Sequence, residues 1–177
     1  MVKPIVLIFG SIPVIVALLI AIPLITKPDI PFSAANPNDI IEIEYTKYQL
    51  KKISFGITEQ LVPQKTEILL IKNNGEVTYT VTKDGHLQPV KTSKMSEVEI
   101  LRLTALFKET GFIEIPSDTF PILDEVIDFQ KSNVKITLNG QSTQIHWPEQ
   151  NATEKFIPPI ITMVESRLDQ IIKQISE

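Results

Sequence analysis

Cysteine is absent from the 177 residues. Disulfides, zinc fingers, thiol catalysis and cysteine-held iron–sulfur clusters are therefore excluded, and stability has to come from core packing alone. Glycine is scarce as well. There are six in all, and none forms the loop whose successive N–H groups would cradle a phosphate. No serine lies in a Gly-x-Ser-x-Gly elbow. Histidine occurs only as His86 and His146. A histidine that binds a ligand or moves a proton needs an oriented partner. Neither has one nearby in sequence, so both read as surface residues.

Charge is missing from one place. Between Pro4 and Thr26 no charged residue occurs, and nearly every position is Ile, Val, Leu, Ala or Phe. A hydrocarbon core about 30 Å thick needs ~20 helical residues at 1.5 Å each, which residues 4–25 supply. Gly10, Pro13 and Pro23 are better tolerated in lipid, where water does not compete for the backbone. Residues 1–26 are thus expected to form a transmembrane anchor in contact with membrane lipid. A cleaved signal peptide would use Ser33 and Ala35 as small residues before the cut. Its apolar core would be shorter, ~7–15 residues, and would end closer to the cut. Lys3 and Lys27 flank the segment almost evenly, so orientation rests on layout. A short N-terminal stub before a large C-terminal portion is the signal-anchor arrangement, with the domain outside the cytoplasm. Asn151-Ala152-Thr153 fits a glycosylation acceptor, which suits an exported domain.

The remaining chain, about 150 residues, is enough for one domain with a real core. Of 17 basic residues, Lys3 and Lys27 precede position 28; the other 15 face all 21 acids, leaving −6 on residues 28–177. Such a domain repels phosphate backbones and anionic headgroups, so nucleic acid is not expected as a partner. Residues 27–39 begin KPDIPFSAANPN, with three prolines. They read as a semi-extended linker to a domain over residues 40–177.

Within the domain, Ile41, Ile43 and Tyr45 alternate with Glu42, Glu44 and Thr46, the period of a strand with one wet face. Residues 48–55 either continue it or form a second strand before Gly56. Residues 67–72 and 77–83 flank Asn74-Gly75, a hairpin turn that would set Val77 opposite Lys72, Tyr79 opposite Leu70 and Val81 opposite Ile68. Asp84-Gly85 offers a second such turn, and Pro89 consigns residues 86–92 to a sheet edge. Ser96 and Glu99 make a capping box for a helix over residues 96–110, closed by Gly111. Residues 113–130 read as a long ordered loop. Val134, Ile136 and Leu138 alternate into Asn139-Gly140, and the return strand places Ile145 opposite Val134. Residues 158–175 form a last helix, with Ile160, Val164, Leu168, Ile171, Ile172 and Ile175 on one stripe and Glu165, Asp169 and Lys173 opposite. The order β-β-β-α-β-β-α implies an α+β fold, an antiparallel sheet of hairpins with two helices packed on one face.

Chemistry is thinly signalled. Asp118, Asp124, Glu125 and Asp128 form an acidic group, but Phe120, Pro121, Ile122 and Leu123 interrupt it and no mid-loop glycine is present, unlike a calcium loop. It reads as a solvated loop. Trp147, Tyr79 and Phe55 read as core. No catalytic, cofactor-binding or metal-ligating residue is assigned. Backbone edges of the first strand and the Pro89 strand could take a partner strand, unless Lys47, Lys51, Lys52 and Lys91 blunt them.

Four motifs recur together: Asn-Gly-Glu-Val-Thr-Tyr at 74–79, the capped helix ending Phe-Lys-Glu-Thr-Gly-Phe at 112, Ile-Pro-Ser-Asp-x-Phe-Pro at 115–121, and the Asp-Phe…Val-Lys-Ile-Thr-Leu-Asn-Gly hairpin at 128–140. With them, residues 67–175 resemble an uncharacterised family of small membrane-anchored or secreted α+β proteins of ammonia-oxidising archaea. The resemblance implies an archaeal cell-surface setting and transfers no activity or functional residue. The expected function is a non-enzymatic, membrane-tethered interaction or accessory domain, with membrane proteins as partners. The alternatives are a ligand- or metal-binding receptor domain and a hydrolase assembled from distant residues.

Overall fold

The computed structural model describes residues 35–116 and 120–177, the side chain of Phe55 excepted. The anchor expected over residues 1–26 and most of the linker lie outside the described residues. Among the described ones, no helix is long and apolar enough to cross a membrane.

The described strands are β1 (Ile41–Phe55), β2 (Thr58–Ile71), β3 (Glu76–Lys83), β4 (His86–Leu87), β5 (Lys91–Lys94), β6 (Asp128–Leu138) and β7 (Gln141–Pro148). Helix α1 (Glu97–Glu109) separates β5 from β6, and α2 (Pro159–Ser176) follows β7. All seven strands join one sheet in the order β4-β3-β2-β1-β6-β7, with β5 also on β3, and every pairing is antiparallel. The α+β class and antiparallel sheet are as the alternation implied. Five strands, not three, precede the first helix.

The first strand is not an edge. It sits at the centre, bonded to β2 on one side and β6 on the other. The pairs Ile43↔Ile71, Ile43↔Ile136, Tyr45↔Leu69 and Tyr45↔Val134 bring its apolar residues between two others of the same kind. A central place buries them far better than an edge would. The open question over residues 48–55 is resolved as one continuous strand. It turns through Gly56-Ile57, with Gly56 at φ 74.

Strand β2 starts at Thr58 rather than near residue 67. Its first half shows no alternation because it is wet on both faces, and Pro63 reads as a strand breaker. Two features accommodate it. The register shifts between Gln49 and Leu50, absorbing an extra residue as a bulge. Also, β3 reaches only to Lys83 opposite Lys65, so Pro63 has no outer neighbour whose ladder it would interrupt.

The β2–β3 hairpin differs by one residue from the two-residue turn expected. Val77 pairs with Ile71 and Tyr79 with Leu69. The loop is Asn73-Asn74-Gly75: Gly75 N–H donates to the Lys72 carbonyl and Lys72 N–H to that of Glu76, both at 2.9 Å. That is a three-residue loop ending in a glycine bulge, Gly75 at φ 82. A one-residue slip moves a whole strand to the other face. The observed register is the one that buries Leu69, Ile71, Val77 and Tyr79 together. Asn139-Gly140 is a true two-residue turn, with positive φ at both positions, and Val134 does oppose Ile145.

On the core face, Ile41, Ile43, Tyr45, Val134, Ile136, Ile145 and Trp147 complete the buried set. Helix α1 is capped by Ser96 and Glu99 and buries Ile100, Leu103, Leu106 and Phe107; Gly111 leaves it at φ 64. Helix α2 starts at Pro159 and buries Ile161, Val164, Leu168 and Ile171. On the opposite face Leu50, Phe129 and Ala152 form a satellite core with Tyr48, Ile122 and Val126. The loop expected over 113–130 thus packs through its apolar residues, opens with a 3-10 turn at Phe112–Glu114, and ends where β6 begins at Asp128.

Candidate functional site

Three places carry more polar or exposed structure than the fold alone requires. The first is a polar cluster between α2 and the sheet. The sequence pattern turns Glu165 and Asp169 to water. In the structure the buried stripe centres on Ile161, Val164, Leu168 and Ile171, which brings Glu165 and Asp169 to its margin, against the sheet. Glu165 Oε1 accepts from Ser132 Oγ at 2.7 Å and from Tyr45 Oη and Gln130 Nε2 at 3.4 Å; its Oε2 accepts from Trp147 Nε1 at 3.1 Å. Asp169 accepts from Tyr45 Oη at 3.1 Å and from Lys47 Nζ at 2.9 and 3.0 Å. Burial, then the charges of Glu165 and Asp169, push the Tyr45 hydroxyl far above its ordinary range, so it stays a donor.

The arrangement behaves as a clamp. A carboxylate has about four acceptor positions; Ser132, Trp147 and Gln130 fill three of those on Glu165, and the single Tyr45 proton goes to the nearer Asp169. Lys47 Nζ lies 2.9 Å from Asp169 Oδ2. A polar cleft of about 540 Å³ runs beside the cluster, lined by Lys47, Gln130, Thr162, Asp169 and Lys173 among others. Sequence reading passes over this cluster. Its signals were the i,i+2 pair Tyr45/Lys47 on a strand and the i,i+4 pair Glu165/Asp169 on a helix, each sharing a face. A buried tryptophan N–H in need of an acceptor was a third.

The second place is where the linker meets the domain. Asp39 Oδ2 accepts from Lys108 Nζ at 2.8 Å and from the Asn36 N–H at 2.9 Å, and Oδ1 accepts from Asn139 Nδ2 at 2.8 Å. Burial raises the Asp39 carboxyl, but these bonds and the Lys108 charge outweigh it and hold it below its usual value. The chain is therefore fixed from Asn36 onward. The linker's last residues belong to the domain.

The third is an arm. Lys51 is the last β1 residue paired with β6, opposite Asp128, and the Lys52 N–H donates to the Ile127 carbonyl at 2.6 Å. Beyond this point residues 52–61 form a two-stranded ribbon with no strand on either side. Ile57 at the tip is fully exposed (103%) and Leu61 is 48% exposed. Lys52 ties the base down, donating to the Asp124 carbonyl at 2.7 Å and lying 3.6 Å from Glu59.

The residues weighed from sequence do not converge. His86 is exposed beside the Asp84-Gly85 turn, and His146 is half-buried on the face away from the main core, opposite Asn133. Asp124, Glu125 and Asp128 are exposed; Asp118 lies outside the described residues. No group of three potential metal ligands occurs among the described residues. Tyr79 and Trp147 are core. Of the lysines set against edge pairing, Lys47 sits on a central strand in the clamp, while Lys91 on β5 donates to the Ser176 carbonyl of α2. Ser132 and Lys135 have the Ser-x-x-Lys spacing, but an odd offset in a strand sends them to opposite faces; Ser132 is buried and Lys135 exposed.

No family model matches the chain, and no curated protein matches it.

Proposed function

We propose that the chain is a membrane-tethered interaction domain on the outer face of a cell membrane, serving as an accessory subunit of a larger membrane complex. The observation that carries this reading is the arm. It spends ten residues on a ribbon that the fold does not use, with bare Ile57 at its tip and half-exposed Leu61 at its base. Two-stranded ribbons are marginal on their own. One with open edges and exposed Ile57 and Leu61 is suited to adding a strand to a partner. The partner chemistry is a membrane protein whose exposed portion offers a strand edge beside an apolar pocket.

The apolar segment at residues 4–25 supplies the anchor in this account, and both helices share the core face of the sheet. The resemblance to anchored archaeal surface proteins supports the same placement. Asp39 is bonded at the opposite end of β1 from the arm, so the point where the chain enters the domain and the arm lie at opposite ends of the sheet. The test is co-purification from native membranes, comparing the natural chain with Ile57→Asp/Leu61→Asp. Partners retained in equal amount by the double variant would refute the arm's role.

A further inference from the structure

We infer that Asn151 carries an asparagine-linked glycan in the mature protein, an inference that rests on the proposal that the domain lies outside the cytoplasm. Asn151 is the one asparagine in the chain followed two positions on by serine or threonine with no intervening proline. Chance alone produces such triplets. The local structure adds what sequence lacks. Asn151 stands in the middle of the 3-10 turn Gln150–Ala152. It is exposed, and its carboxamide has no hydrogen bond among the described residues.

Its neighbours are the reverse. Ala152 is 0% and Thr153 4% exposed. The Ala152 N–H donates to the Glu149 carbonyl, and its own carbonyl accepts from the Leu123 N–H, both at 3.0 Å. Thr153 Oγ1 accepts from the Lys155 N–H at 3.3 Å. The backbone is thus pinned on both sides of a side chain that projects freely into water. A glycan there displaces nothing.

The burial of Thr153 also sets when transfer occurs. A transferase that reads the threonine hydroxyl finds it covered once Ala152 has joined the satellite core. Transfer must come while the chain is emerging and residues 150–153 are still extended. In the reaction, Asn151 Nδ2 attacks C1 of a sugar held on a polyprenyl-phosphate-type donor. The N–C1 bond forms as the C1–O(phosphate) bond breaks. The bonding pair leaves on the phosphate, and Nδ2 gives one proton to a base of the transferase. Asn151 follows β7 near Pro148, which pairs with Lys131, whereas the linker is bonded by Asn139 at the other end of the sheet. The glycan would stand at the arm end, away from the tether's entry.

The test is mass spectrometry of the Asn151 peptide from full-length protein purified from native membranes, beside protease accessibility of the domain in right-side-out membrane vesicles. The expected result is a peptide heavier by a sugar chain. Asn151→Gln and Thr153→Ala should lose it, and unmodified refolded protein should not acquire it when given transferase and donor. Because Asn151 is exposed, Asn151→Gln tests the site without disturbing the fold. A bare Asn151 peptide from a domain that protease reaches from outside overturns the inference alone. A domain that protease reaches only from the cytoplasmic side overturns both the inference and the placement it rests on.

Discussion

Glu165 holds the C-terminal helix to the sheet by accepting from Trp147, Ser132 and Gln130 at once. Removing it strands Trp147 and Ser132, both almost fully buried. A buried donor left unpaired costs about 1–3 kcal/mol. Glu165→Ala should therefore lower stability by about 2–4 kcal/mol, read as a drop in urea midpoint with unchanged slope. Glu165→Gln, which keeps an acceptor, should lose less. Asp39 makes a second prediction. Its folded carboxyl is held below its usual value, so its stabilisation is present above the unfolded value near ~4 and lost as pH falls through the folded one. In acid titrations Asp39→Asn should be less stable at neutral pH and should lose less on going below about pH 4. An identical acid profile in both proteins would remove Asp39 as the linker's lock. Sequence showed the pairs Tyr45/Lys47 and Glu165/Asp169 only separately, each sharing a face. The partners come from β1, β6, β7 and α2, and only the tertiary pairing brings them together.

At the scale of elements, legibility tracked periodicity. The two helices and the β6–β7 hairpin declared themselves through caps, stripes and a two-residue turn. The β2–β3 register did not, because Asn-Gly serves both two- and three-residue loops and only burial of Leu69 and Ile71 decides between them. The first half of β2 was silent because a ribbon wet on both faces has no alternation to show. Gly75 makes a sharp test of the three-residue loop. A Cβ there would lie 2.4 Å from the Met95 carbonyl oxygen, whereas one at Gly140 meets nothing within 4 Å; the two share a φ of 82. Left-handed strain costs about 1–2 kcal/mol at either. Gly75→Ala should cost more than Gly140→Ala in urea unfolding, since β5 must also give way. The arm predicts the opposite behaviour. Joining Lys51 to Val62 through Asn-Gly removes residues that bury little, so the melting temperature should move by no more than ~3 °C.

For the whole molecule, one strand joins the point of attachment to the proposed docking arm. β1 begins two residues after the linker's lock at Asp39 and runs for 15 residues into the arm. At about 3.3 Å per residue that is a reach of roughly 50 Å, enough to carry a docking element well clear of the point of attachment. The charge of −6 on residues 28–177 disfavours anionic headgroups as the partner of the proposed arm. The most direct measurement compares the full-length chain with the arm-trimmed chain after purification from native membranes in mild detergent, with mass spectrometry of the accompanying proteins. A stoichiometric set of membrane partners should accompany the natural chain and be lost from the trimmed one, at equal recovery and with melting temperatures within ~3 °C of each other. The same partners on both chains, or no partner on either, would contradict it.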